Sequence, residues 1–220
     1  MASWLVLQLA DSALPSGGFA HSSGLEAAVQ AGLVRGAREL SRFIDDALWQ
    51  LGHGALPLVS AAHAAPARVA ELARTADAIL ASHVANRASR AQGRGMLDAT
   101  ARAFGTPPLV AMKAAVADGT LLSHASPILG AIAAHLALTR REAHELTMHT
   151  ALRALLSSAV RLGLVGPFEA QAIHHDAAPT LDRVLAACGD LGEEDLAQTS
   201  PIPELVGMTH DRQYVRLFQS

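Results

Sequence analysis

Apolar residues recur along most of this chain three and four positions apart, which is the spacing of one face of an α-helix. The stretch 152–159 shows the pattern well, with Leu152, Leu155, Leu156 and Ala159 on one stripe. Alternating runs rich in β-branched and aromatic residues, which would indicate strands, are nearly absent. The sequence therefore predicts an all-α protein, a single-domain bundle of about eight to ten helices.

Capping residues and glycines divide this pattern into segments. Thr139 and Glu142 have the spacing of a capping box, so we predict a helix from there to about Leu162. A long helical segment is predicted over residues 67–104, where Gly93 and Gly95 indicate a bend or a close approach of another helix. Prolines and Gly-containing turns separate the other helices in the same way.

The end of the chain has a different character. Acidic residues follow Gly192, and Pro201 and Pro203 argue against a helix in the stretch that contains them. We therefore predict a helical domain over residues 1–192 and an extended, irregular C-terminal tail over residues 193–220.

Composition and charge exclude several classes of protein. Half of the 220 residues are hydrophobic, only 17% are charged and the net charge is −3, so no general attraction to nucleic acid is expected. No apolar run reaches the ~18 residues of a transmembrane helix, and Met1 to Trp4 lack the basic start of a signal peptide. Cys188 is the single cysteine, which excludes an internal disulfide. We expect a cytoplasmic protein that binds no membrane.

Two histidine motifs are candidate metal sites. His144 and His149 flank a near match to the H-E-x-x-H zinc signature, but five positions on a helix separate two side chains by ~140°. The run His174-His175-Asp176 reads as a helix end, where cationic side chains are favoured. We therefore expect no metal site in either motif.

Motifs for catalysis or for a cofactor are also missing from the sequence. There is no G-x-S-x-G elbow and no P-loop, and the short G-x-G at Gly93 lies within a helical segment with no strand before it. We expect no catalytic residues, no cofactor and no enzyme activity, and instead a protein that works by binding partners.

Several blocks of this sequence resemble the UreF-type urease accessory proteins. The longest, residues 7–29, reads LQLADSALPSGGFAHSSGLEAAV, and it closely resembles the N-terminal signature of that family. Shorter blocks are HVANRASRAQG at residues 83–93, HASPILG at 124–130 and RLGLVGP at 161–167. Together they are spread over most of the chain.

The resemblance implies an all-helical homodimer without enzyme activity. It implies a complex with a UreD/UreH-type accessory protein, which recruits the UreG-type GTPase and docks on apo-urease, so that nickel insertion is coupled to GTP hydrolysis. The alternative function belongs to a different class of protein, a helical nickel- or small-molecule-binding module that acts as a metal carrier.

Two residues of the helical domain are candidates for partner binding. Glu26 lies near a predicted helix N-terminus, where a carboxylate is favoured, and Arg161 lies in the last turn of the helix that begins at Thr139. Those positions alone would explain both residues as helix-end charges. The resemblance makes Glu26 a candidate contact for the GTPase and links Arg161 to GTPase coupling.

The last residues of the chain are candidates as a docking element. Aromatic and arginine side chains, which are enriched at binding hot spots, alternate over residues 210–220. The candidate contacts there are Arg212, Tyr214, Arg216 and Phe218. Packing of this segment against the chain's own body is the other interpretation, and the sequence leaves both open.

Overall fold

The computed structural model describes residues 4–209, 211 and 216–219, and within these ranges it leaves aside the side chains of Phe19 and of residues 201–204. The described residues form helices and turns and contain no strand, which confirms the all-α prediction. The helices are α1 (Trp4–Ala10), α2 (Leu25–Gln30), α3 (Ala37–Gly54), α4 (Leu56–Ala64), α5 (Val69–Ile79), α6 (His83–Phe104), α7 (Pro107–Ala117), α8 (Ala125–His135), α9 (Arg140–Arg161), α10 (Pro167–Asp176), α11 (Ala178–Cys188) and α12 (Pro201–Met208).

The described part of the chain thus has slightly more helices than the eight to ten expected, because residues 67–104 contain two helices and residues 201–208, expected to be irregular, form α12. Single 3-10 turns occur at Gly18–Ala20, Pro66–Arg68 and Glu193–Asp195.

Helix α8 lies at the centre of the bundle. It packs against α4, α5, α6, α7 and α9, and every residue from Pro127 to Ala133 is buried. Gly130 makes the closest of these approaches possible, because a Cβ at this position would lie 2.4 Å from the carbonyl oxygen of Val59 in α4. A second group of helices, α3, α9 and α11, surrounds the core cluster that contains Leu48 and Leu152.

The predicted capping box is present at the start of α9. The hydroxyl of Thr139 accepts a hydrogen bond from the backbone N–H of Glu142 at 3.2 Å, and the carboxylate of Glu142 accepts one from the N–H of Thr139 at 2.8 Å. The helix that follows ends at Arg161, one residue from the predicted end. These two bonds satisfy backbone donors that a helix start otherwise leaves unpaired.

The single long helix expected over residues 67–104 is two helices. The chain breaks before α6, where Ser82 caps the new helix by accepting a hydrogen bond from Ala85 N–H. No break occurs at Gly93, which allows close packing instead: a Cβ there would lie 2.0 Å from the carbonyl oxygen of Ser123. Of the two outcomes expected from the glycines, the close approach is the one observed.

The prediction that Pro201 and Pro203 exclude a helix is wrong. Both prolines lie in the first turn of α12, where the backbone N–H has no partner within the helix, so its loss costs little. The segment before α12 is fastened to α3 because the side-chain oxygen of Gln50 accepts hydrogen bonds from the backbone N–H groups of Thr199 and Ser200. Residues 193–220 are therefore not extended throughout.

Candidate partner-binding surface

Glu26 lies in the first turn of α2 and is buried, with only 1% of its surface exposed. Its carboxylate accepts hydrogen bonds from the backbone N–H groups of Leu217 at 2.6 Å and Phe218 at 3.3 Å. A buried carboxylate needs such partners, since an unpaired charge away from water is costly. The chain end thus supplies donors to Glu26.

Arg161 contacts the same segment. Its guanidinium carbon lies 4.2 Å from the centroid of the Phe218 ring, which is a cation–π arrangement. Phe218 is buried although it is the third residue from the end of the printed sequence. The N–H of Gln219 donates a hydrogen bond of 2.8 Å to the carbonyl oxygen of Ala20, which extends the contact.

We call the three body residues that hold the chain end, Ala20, Glu26 and Arg161, the tail cradle. Three of the partner-binding candidates, Glu26, Arg161 and Phe218, come from separate parts of the sequence and converge on this one place. These contacts of residues 216–219 are those that self-packing predicts. Docking of the tail on a partner stays a prediction, and Arg212 and Tyr214 lie outside the described residues.

A second attachment of the chain end lies at Asp211, a few residues before Leu217. The carboxylate of Asp211 pairs with Arg87 at 2.8 Å and with His83 at 3.1 Å, both on α6. The Arg87 guanidinium lowers the pKa of Asp211 to about 2. Arg216, an exposed candidate, also pairs with Asp211 at 3.3 Å. Sequence reasoning missed Asp211 and Ala20, because nothing local to either residue indicates a contact with a distant segment.

Large apolar side chains are exposed elsewhere on the surface. Trp4 and Phe168 are 87% and 89% exposed, and Leu7 follows Trp4 on the same face of α1. Both α1 and α10 pack against α9. Exposed aromatic residues of this size are typical of surfaces that bind other proteins.

The histidine motifs have separate environments. His144 is buried, its Nε2 lies 2.8 Å from the hydroxyl of Ser60, and burial lowers its pKa to about 4. His149, on the same helix, contacts His174 of α10 instead. The prediction that His144 and His149 point in different directions is thus confirmed. Over the described ranges there is no cluster of three or more metal-ligating side chains.

The buried His124 belongs to a network that has the members of a catalytic triad. His124 contacts Asp77 at 3.0 Å through Nε2 and the hydroxyl of Ser89 at 3.2 Å through Nδ1. The Ser89 oxygen also accepts a hydrogen bond from Ala125 N–H, the first residue of α8. Ser89 thereby satisfies a donor at a helix start that has no cap of its own, so the network is explained as a joint between α5, α6 and α8.

A cavity of about 330 Å³ lies between α3, α5, α6 and the segment before α12. Its wall is mostly apolar and built from small side chains, with a few polar groups at Gln50, Ser82 and Gln92. A second space of about 200 Å³ shares Gln92 with it. Cavities of this size and character can hold a small ligand.

None of the helices described here has both the length and the apolar character that crossing a membrane requires.

Comparisons with known proteins agree with these features. The UreF family model matches residues 34–178. Urease accessory protein F of Oryza sativa subsp. indica is 33% identical over 219 residues, which cover 98% of this chain and 84% of that protein. Its counterpart in Arabidopsis thaliana is 33% identical over 99% of this chain and 92% of that protein.

A bacterial relative gives the same result. Urease accessory protein UreF of Mycobacterium sp. (strain JLS) is 31% identical over 215 residues, which cover 98% of this chain and 97% of that protein. A family match over well over half of the chain, together with relatives that align over almost its whole length, establishes the family. This chain belongs to the UreF family of urease accessory proteins.

Proposed function

We propose that this protein promotes nickel insertion into apo-urease by coupling the GTPase activity of a UreG-type partner to assembly of the metal centre. It acts without catalysis of its own, as a cytoplasmic homodimer in complex with a UreD/UreH-type accessory protein. The observation that carries the proposal is the convergence of Glu26, Arg161 and the chain end in the tail cradle.

The cradle supports a coupling mechanism. Glu26 is covered while Leu217 and Phe218 donate to it, so a partner reaches this carboxylate only after the tail has left. A UreD/UreH-type protein that binds the released tail would uncover Glu26 for the GTPase. Each binding event would then favour the other, which is the thermodynamic definition of coupling between two sites.

Two of the tail's attachments are exposed and suit such an exchange. Arg161 and Arg87 are both exposed, and exposed ion pairs and cation–π contacts contribute about 1 kcal/mol or less each. A partner surface that offers its own contacts to Phe218 and Arg216 can replace these interactions at small net cost. Arg212 and Tyr214 would add to such a docking segment.

Co-purification tests the proposal. The full-length chain should retain a UreD/UreH-type protein and, through it, a UreG-type GTPase. A variant that lacks residues 210–220 should remain a folded dimer and should lose the UreD/UreH-type partner. Retention of that partner at full strength by the shortened chain would contradict docking through the tail, whereas a lower melting temperature with poor solubility would indicate that the tail serves only to stabilise the fold.

The alternative function is a nickel- or small-molecule-binding module, and the 330 Å³ cavity is the feature that favours it. Equilibrium dialysis with nickel separates the two functions only when it is combined with the co-purification experiment. A tight stoichiometric site together with no binding to either accessory protein would favour the carrier.

A further inference from the structure

The two histidine motifs of the sequence meet where α9 packs against α10. The rings of His149 and His174 lie edge to face, with centroids 5.5 Å apart and planes at 83°. Since each residue lies within a helix and the two helices are in direct contact, the spacing of the rings is set by helix packing. We propose that this pair forms a site for a divalent metal ion of the kind that imidazole binds well, such as Ni²⁺ or Zn²⁺.

The spacing of the rings fits a shared ion. An imidazole nitrogen binds such an ion at about 2.0–2.1 Å, which places the ring centre about 3.2 Å from the metal. Two rings arranged at a tetrahedral angle then have centres about 5 Å apart, close to the 5.5 Å between His149 and His174. Rotation about χ2, a broad torsion in histidine, is the movement that can aim one nitrogen of each ring at the ion.

His149 and His174 are both half-buried, so both rings lie near the protein surface. A neutral imidazole is the form that coordinates a metal. The nearby cation Arg153 directs its guanidinium at the carbonyl oxygen of Ala10, on the side of α1.

Two ligands from the chain make an open site. No third metal-ligating side chain joins the pair among the residues that the structure covers, so water or a group from another protein would complete the coordination. Structural zinc sites, by contrast, are closed by four protein ligands. An open site suits a metal ion that is held briefly and passed on. The sequence alone does not indicate this pair, because the two histidines lie on different helices.

Metal binding by the chain alone tests the inference. Full-length protein stripped by a chelator is dialysed against NiCl₂, and uptake of one ion per chain is expected. His149→Ala and His174→Ala should each weaken the affinity by at least about tenfold, because loss of a ligand costs no less than loss of a group that supports one. The matched control is His175→Ala, an exposed histidine next to the pair, which should bind as the unmodified chain does.

A second measurement needs no variant and so does not depend on how the substitutions fold. Paramagnetic Ni²⁺ at substoichiometric concentration should broaden the ring proton signals of His149 and His174 before those of the other histidines. The inference is overturned by absence of stoichiometric uptake, by unchanged affinity in both alanine variants, by an equal loss in His175→Ala, or by broadening that begins elsewhere. No partner protein is used, so these outcomes are independent of the partner-binding proposal.

Discussion

Replacement of Glu26 by alanine should release the chain end from the tail cradle. The substitution removes the acceptor of the N–H groups of Leu217 and Phe218. A hydrogen bond to a charged group contributes about 1.5–3 kcal/mol. Even one such contribution changes the ratio of released to seated tail by about 10- to 150-fold, since about 1.4 kcal/mol corresponds to a factor of ten.

Hydrogen exchange measured on the C-terminal peptide reports this change directly. The amides of Leu217 and Phe218 should exchange faster in Glu26→Ala by the same factor as the released population rises. Glu169→Ala is the matched control, because Glu169 also lies in the first turn of a helix but is exposed. It should leave the exchange of the C-terminal peptide unchanged.

The same variant should bind the UreD/UreH-type partner more tightly, because the cost of freeing the tail has been removed in advance. It should nevertheless fail to support urease activation, since the proposed GTPase contact is gone. Exchange of the C-terminal amides at the rate of the unmodified protein would refute the reasoning, because the two hydrogen bonds would then not hold the tail.

Three further predictions follow from other contacts. Arg161→Ala removes a cation–π contact that contributes about 0.5–1 kcal/mol, so hydrogen exchange of the C-terminal amides should become about two- to fivefold faster. The rate or fidelity of urease activation should also fall. Unchanged activation by a normally assembled complex would contradict the role of Arg161. The pKa of His144 in the folded protein, about 4, lies below its ordinary value of 6.5. The contribution of this group to the free energy of unfolding is therefore fully present above the unfolded pKa, and it is lost as the pH falls toward and through the folded pKa. Urea unfolding should lose about 2 kcal/mol from this group between about pH 7 and about pH 5, and the loss should disappear in His144→Gln. Gly93→Ala places a Cβ 2.0 Å from a carbonyl oxygen and should cost at least about 1–3 kcal/mol in thermal or urea unfolding, whereas Gly166→Ala, with open space around the new Cβ, should change stability little.

Local signals in the sequence predicted local structure well. The capping box at Thr139 and the close approach at Gly93 each depend on one or two residues and on the backbone geometry that these residues favour. The prediction at Pro201 is wrong because the effect of a proline depends on its position in the helix, which periodicity does not give.

Contacts between distant segments could not be predicted in the same way. Glu26 and Arg161 were identified from helix-end positions and from a family resemblance, but nothing in the sequence indicates that they hold Phe218 between them. The contact between His149 and His174 likewise depends on how α9 and α10 pack. Such pairs arise from tertiary packing, so a single sequence carries no periodic signal for them.

Activation of purified apo-urease tests the central claim most directly. The assay combines apo-urease, Ni²⁺, GTP and the UreD/UreH-type and UreG-type proteins, and compares urease activity with and without this chain. The account predicts that activity appears with GTP hydrolysis when the chain is present and falls sharply when it is omitted or replaced by Glu26→Ala. Equal activation in the absence of the folded chain would contradict the account.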